Sequence, residues 1–399
     1  MTTTLFPSYP AEAYPGATYP GYAGTTTEYP ILAPLPRPAL TSHRVTSFLY
    51  ELLDKHGKLI GPLDGVRPGG TLEWSAARSV KGSGQGITVV DTGQSIDWLG
   101  SRIRISRTIT DATGTYTDPL GVWIPDYPTE KWTDTGRTWD VSLLDTTTLL
   151  DQRKIGATHT LAKGASVLTD ARAYTLVATG AYGPWLDTAR ESIAITPSTK
   201  VAATDMTWPA GTTFLQIVND ELASINYWSL FADMAGVWHL DPYVDPTARE
   251  LAWQFDDGAN CIYTPAWDRT QNWGSVPTEV DLYTLGDSVT APLQGVFQAP
   301  ASWAGSEFQR GYAVTYTEQV NAADQATIDA LAQRRYLSLA SPQASVQIQH
   351  LPIPLLVNQA VRFRSTRAGI DGLFVVSNTR VPLAATGLQQ TMLTEVLGG

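Results

Sequence analysis

Ser101-Arg102-Ile103-Arg104-Ile105-Ser106 alternates polar and apolar residues without a break. Period two marks a strand with one buried face, because successive side chains in extended backbone point to opposite sides. Around it, residues 45–50 and 71–74 are β-branched and aromatic runs bounded by Gly, Pro and Asp, and residues 121–125 (Gly-Val-Trp-Ile-Pro) and 138–144 supply two more. Residues 44–155 therefore read as an antiparallel β-domain. Trp98, Arg102, Arg104 and Trp123 are its candidate structural strand positions.

The same kind of pattern returns near the C-terminus, over residues 344–349, 359–364, 372–377 and 390–396. Three strings repeat in order: SRIRIS (101–106) with AVRFRS (360–365), GVWIP (121–125) with GLFVVS (372–377), and TWDVSLLD (138–145) with QTMLTEVL (390–397). Such an echo predicts one β-unit used twice, the alternative being convergence of amphipathic strands on similar letters. Arg362, Phe363 and Phe374 are the candidate strand positions of the second copy.

Between the two, residues 156–339 change character. GTTFLQIVNDELASI (211–225) places Phe214, Leu215, Val218, Leu222 and Ile225 at helical spacing, with Thr212 or Thr213 available as the cap. Residues 227–232 and 237–240 read as a short hairpin, and residues 322–339 as a second helix with Ile328, Leu331 and Tyr336 on one face. The central region is thus α+β. Residues 340–399 then complete the second β-unit.

Residues 1–43 stand apart: Tyr9-Pro10, Tyr14-Pro15, Tyr19-Pro20 and Tyr29-Pro30 recur among Gly, Ala and Thr. Proline removes backbone donors and biases its predecessor to extended geometry, so this arm forms neither a helix nor a central strand. It reads either as a disordered linker or as an arm wrapping a neighbouring subunit.

At 399 residues the chain has room for two or three domains. Charged residues make up only 16%, which leaves much neutral surface of the kind that is buried against other subunits. Lys and Arg total 27 against 38 Asp and Glu, a net charge of −11 that lacks the basic footprint of a nucleic-acid binder. The single cysteine, Cys261, excludes an intramolecular disulfide and a cysteine-based zinc site. No apolar run reaches the roughly 18 residues that cross a bilayer, and the N-terminus has no secretory order, so no membrane insertion is expected.

Catalytic motifs are missing. KGSGQGITVV (81–90) has glycines without the Lys and hydroxyl of a phosphate loop and runs into a strand, and no Gly-x-Ser-x-Gly occurs. His43, His56, His159, His239 and His350 are never paired at i, i+4, and His239 in an apolar strand reads as a satisfied core residue. The 13 Trp and 17 Tyr suggest a sugar cleft, with Asp256 and Asp257 or Asp241 and Asp245 as its acids, but FDDG (255–258) reads as a turn. No catalytic residue, cofactor or metal ligand set is expected.

QSIDWLGSRIRIS (94–106), GVWIPDYP (121–128), TWDVSLLDTTTLLDQRK (138–154), residues 211–243 and residues 327–363, taken in this order, resemble the minor tail proteins of long-tailed actinobacteriophages. These are similar to the baseplate hub and tail-associated hub proteins of other tailed phages. The resemblance implies a mainly β fold with α+β insertions: two related hub-type β-barrel domains plus a smaller central α+β domain. It implies a homotrimeric ring of six similar faces, docked on a sixfold tail tube and on other tip proteins or fibres, that passes genomic DNA without tight binding. Such a protein is assembled in the bacterial cytoplasm and resides at the distal end of the virion tail. A carbohydrate- or receptor-binding tip protein is the alternative.

Overall fold

The computed structural model describes residues 43–134, 136–178, 193–258, 261–271, 274, 276–285, 291–303, 305–340 and 344–396. The Tyr/Pro arm, apart from His43, lies outside them. The first β-unit contains β1 (Val45–Leu53), β2 (Leu59–Pro62), β3 (Thr71–Ser75), β4 (Gly82–Val90), β5 (Arg102–Thr110), β6 (Thr115–Thr133) and β7 (Gly136–Asp145). A helical lobe follows: α1 (Thr148–Gln152), β8 (His159–Leu161), α2 (Val167–Ala178), β9 (Ile193–Ile195), β10 (Met206–Trp208), α3 (Phe214–Ser224), β11 (Phe231–Ala232) and β12 (Trp238–Leu240). Of the two available caps α3 uses Thr213, whose side chain accepts the Gln216 N–H at 3.1 Å, and Phe214, Leu215, Val218 and Leu222 are buried in the lobe's core.

Next come β13 (Leu251–Phe255) and β14 (Asp268–Gln271), then a small module of β15 (Glu279–Tyr283), β16 (Gln294–Gln298), α4 (Glu307–Arg310), β17 (Thr315–Gln319) and α5 (Gln325–Ala340). In that module α5 lays Ile328 and Tyr336 into a separate core with Val280 and Leu282. β18 (Ala344–His350), β19 (Ala360–Ser365), β20 (Ile370–Pro382) and β21 (Gln389–Glu395) end the chain. β13 pairs with β19 and β14 with β18, so two strands from the sequence's central region join the C-terminal unit. Among the described residues no helix is long and apolar enough to cross a membrane.

The expected pair of closed barrels is corrected by the structure. One 13-stranded sheet runs β14-β18-β21-β20-β3-β4-β7-β6-β5-β1-β2, with β19 on β20 and β13 on β19. A barrel in the first unit would need β2 to return to the free edge of β3, but β20 occupies that edge from Asn378 to Pro382. The sheet instead serves two hydrophobic cores. One gathers Leu72, Ile103, Ile105, Trp123, Val141 and Leu143, the other Val361, Phe363, Phe374, Val376, Leu393 and Ile348.

Within this sheet the repeated strings occupy equivalent places. β5-β6-β7 and β19-β20-β21 are both antiparallel meanders. Ile103 faces Trp123, which faces Asp145; Val361 faces Phe374, which faces Glu395. Beyond these, Ile124–Leu144 and Pro125–Leu143 match Val375–Thr394 and Val376–Leu393, and both ladders then break register, after Asp126 and after Val376. The glycines of residues 81–90 are themselves strand residues: a Cβ on Gly82 would lie 3.1 Å from the Trp123 indole, and one on Gly84 2.9 Å from Leu72. Their missing side chains admit the large one opposite.

Trp123 and Phe374 are both essentially inaccessible and belong to separate cores. Replacing either with Ala should therefore cost about 3–5 kcal/mol in urea denaturation followed by tryptophan fluorescence and circular dichroism. The double substitution should add within about 0.5 kcal/mol, and strong non-additivity would show that the two cores are one.

Candidate functional site: a cation-roofed cavity

A cavity of about 1410 Å³ lies between the sheet and the helices. β3, β20 and β21 form its floor, with Glu73, Asn378, Arg380 and Met392 facing it; α3 and α5 form its wall. At the sheet junction Glu73 accepts hydrogen bonds from Asn378 Nδ2 at 2.9 Å and Arg380 Nη2 at 3.1 Å, with Arg78 at 3.4 Å. Burial opposes ionisation of Glu73, but these donors outweigh it and hold its carboxyl below the usual range.

The roof is cationic. Arg249 and Arg334 both stack on the Trp228–Tyr243 ring pair: Arg249 is 4.8 Å from the Trp228 centroid and Arg334 4.5 Å from that of Tyr243. Most of their hydrogen bonds end on backbone carbonyls, and Arg249 also reaches the Tyr243 hydroxyl. Arg249 donates to Val244 O at 2.9 Å and Asn358 O at 2.7 Å, Arg334 to Tyr227 O at 2.7 Å, and nearby Lys81 to Ala76 O at 2.8 Å. Burial lowers both guanidinium pKa values to about 10, and burial together with repulsion from Arg334 lowers that of Lys81 to about 8. These bonds tie α5, the helical lobe and the C-terminal unit together. The same positive roof is suited to receive a carboxylate or another anion.

The candidate strand residues do not converge on this cavity. Trp98 packs on the first core, 5.8 Å from Trp139, and Trp123 is sealed inside, its Nε1 donating to Leu120 O at 3.0 Å. Arg102 is buried in β5, and Arg104 pairs with Glu51 at 2.8 Å. Arg362 pairs with Asp371 at 2.7 Å on the surface, while Phe363 and Phe374 meet edge to face at 5.8 Å in the second core. The acids considered for a sugar cleft are engaged locally: Asp257 accepts from the Tyr263 hydroxyl and the Thr366 N–H, and Asp245 caps the turn at Pro246–Ala248. Sequence reasoning did not find Arg249 and Arg334, which lie 85 positions apart and meet only through their shared aromatic pair.

His239 is buried, its ring stacked on Phe231 with centroids 5.0 Å apart. Nδ1 lies 3.0 Å from Asp241 Oδ2 and Nε2 3.2 Å from Asp233 Oδ2, and donating from both nitrogens requires the imidazolium. Burial disfavours that charge, but the hydrogen bonds and charges of the two aspartates overcome it and raise the pKa to about 9.

No protein-family model and no curated protein matches this sequence. Solved structures do match. A tail protein from Neisseria meningitidis MC58 is 13% identical, with a TM-score of 0.60, over 88% of this chain and 97% of that one. The 43 kDa tail protein of prophage MuSo2 from Shewanella oneidensis is 10% identical, with a TM-score of 0.52, over 88% and 98%. At these identities the likeness is one of fold, and it spans nearly the whole of both neighbours.

Two outcomes follow from the charges. His239 is charged in the fold at a pH where it is neutral when unfolded, so its contribution is complete below about pH 6.5 and is lost as pH rises through about 9; urea denaturation should register a loss of about 3 kcal/mol that His239→Gln abolishes. Arg334→Ala should cost about 2 kcal/mol by leaving Tyr227 O unpaired and the ring pair uncovered, and Arg334→Lys should recover less than half, since an ammonium cannot bridge and stack as a planar guanidinium does.

Proposed function

We propose that this chain is a structural component of a phage tail tip, three copies of which close into a hub ring between the tail tube and the tip or receptor-binding proteins. The observation that carries the reading is the repeated meander, with Ile103–Trp123–Asp145 and Val361–Phe374–Glu395 in the same register. Two equivalent units in each of three copies give six similar faces, which is what a threefold ring needs to sit on a sixfold tube. The fold shared with two tail proteins along almost their full length supports it.

The sheet also supplies the means of joining. Among the described residues its terminal strands, β2, β13 and β14, each have one unpaired edge, and β2 exposes Leu59 and Ile60, with Ile60 59% accessible. An apolar open edge invites another strand, so a protein that stays soluble must cover it. In the ring the neighbouring subunit does so. The excess of acidic residues fits a lumen that repels phosphates and lets DNA pass without sticking. Tyr127 and Trp132, 82% and 73% accessible on the β6–β7 hairpin, favour the second reading, a receptor- or carbohydrate-binding tip protein.

Light scattering coupled to size-exclusion chromatography should give three times the 43.2 kDa chain mass, and negative-stain images should show rings. Ile60→Lys should shift the protein toward monomer while its circular dichroism spectrum stays unchanged. A monomer at every concentration, or one that binds glycans, would overturn the ring.

A further inference from the structure

We infer that His159, Asp170 and Glu221 form a binding site for a first-row divalent metal ion, zinc foremost, in the helical lobe. The three come from different elements: His159 opens β8, Asp170 lies in the first turn of α2, and Glu221 lies on α3. One ligand atom from each falls within 4.8 Å of the others. A lone acidic cluster would be unremarkable on a surface. Here, however, Glu221 is wholly inaccessible, and among the described residues no donor reaches either carboxylate oxygen, its one polar neighbour being the Asp170 carboxyl. A buried carboxylate without a donor is costly, so the fold keeps it for a reason.

The donor set indicates the class of ion. One imidazole nitrogen and two carboxylates suit a borderline cation such as zinc, whereas calcium and magnesium favour oxygen-only sites. A neutral imidazole and two carboxylates carry a charge of −2, which a divalent ion cancels. Access comes from the solvent side, where the His159 and Asp170 side chains are 25% and 24% exposed. The imidazole is also already oriented: Trp208 stacks on it at 5.6 Å, and Tyr174 meets it edge-on at 5.1 Å. Trp208 is held in turn by its Nε1–H bond to Asp220 at 2.9 Å. Fixed rings around a ligand set lower the cost of organising it.

In the metal-free arrangement His159 Nε2 lies 2.7 Å from Asp170 Oδ2, so a cation taken up by Nε2 replaces this hydrogen bond and leaves the single proton of the neutral imidazole on Nδ1. A competing state exists. Burial, then Asp170 and Asp220, push the Glu221 carboxyl up to about 11, so without a cation it keeps a proton that it can donate to Asp170. The two states answer differently to substitution, because Gln mimics the protonated acid but is a poor metal ligand.

The test uses the full chain, stripped with chelator and titrated with zinc chloride by isothermal titration calorimetry, with magnesium chloride as the control. One zinc equivalent per chain, a raised melting temperature and a binding heat that changes with the ionisation enthalpy of the buffer, as proton release from Glu221 requires, are expected, with little response to magnesium. Glu221→Gln should fold with an unchanged metal-free melting temperature and lose affinity by on the order of 100-fold. His159→Gln is the second variant and should lose affinity similarly. No zinc binding by the wild type, or zinc binding undiminished in both variants, overturns the site and leaves the shared proton as the reason for the buried acid.

Discussion

One strand holds the two halves of this protein together. β20 is 13 residues long, and its two stretches have different neighbours on the same side: Ile370 to Val375 pairs with β19, and Asn378 to Pro382 with β3. The register break at Val376–Asn378 falls where the partner changes, and a bulge there bends the strand and increases its local twist. The consequence is geometric. Each unit gives an edge to the other instead of to itself, so among the described residues neither closes, and the sheet grows to a size at which open sheets curl around more than one core. The Glu73–Asn378–Arg380 hydrogen bonds reinforce this junction and form part of the cavity floor.

Equivalence of backbone does not impose equivalence of environment. Asp145 and Glu395 sit at matching ladder positions. Asp145 is buried beneath the helical lobe; burial raises its pKa to about 6 although Thr147 and Gly82 donate to it and Lys81 lies near. Glu395 is partly exposed and pairs with Arg269 at 3.0 Å. The histidines show a similar contrast. His239 is kept charged by two aspartates, whereas burial lowers His350 to about 4, with Thr391 and the Leu351 carbonyl as its neutral partners. In each case burial and the immediate hydrogen-bond partners, not the position in the ladder, decide the protonation state.

Much of this was legible in the letters because it is local. Alternation identifies β5 and β19, and the 3.6-residue spacing of Phe214, Leu215, Val218 and Leu222 identifies α3. The echo between the units is also readable, but letter-for-letter matching of SRIRIS with AVRFRS sets Arg102 opposite Val361, while the ladders make Arg104 the counterpart of Arg362. A one-residue offset exchanges the two faces of a strand, and only the partner strands fix it. Closure was illegible for the same reason: the apolar run at residues 372–377 reveals a strand, not that it continues to Pro382 and takes β3 as a second partner. The cation roof of the cavity arises from residues on elements far apart in sequence, so no spacing rule reaches it.

An open sheet with two units is stable only if something deals with its edges. Closed barrels remove edges within one chain; among the described residues this sheet instead ends at β2, β13 and β14, with Leu59 and Ile60 exposed on β2. The 16% charged composition points the same way, since a monomer with so few charges and such an edge would be prone to self-association of some kind. Heterologous contacts between unlike edges either close into a ring or propagate without limit. In the proposed ring, two similar units per chain would favour closure, because each junction between chains could then resemble the β20–β3 junction already made within one.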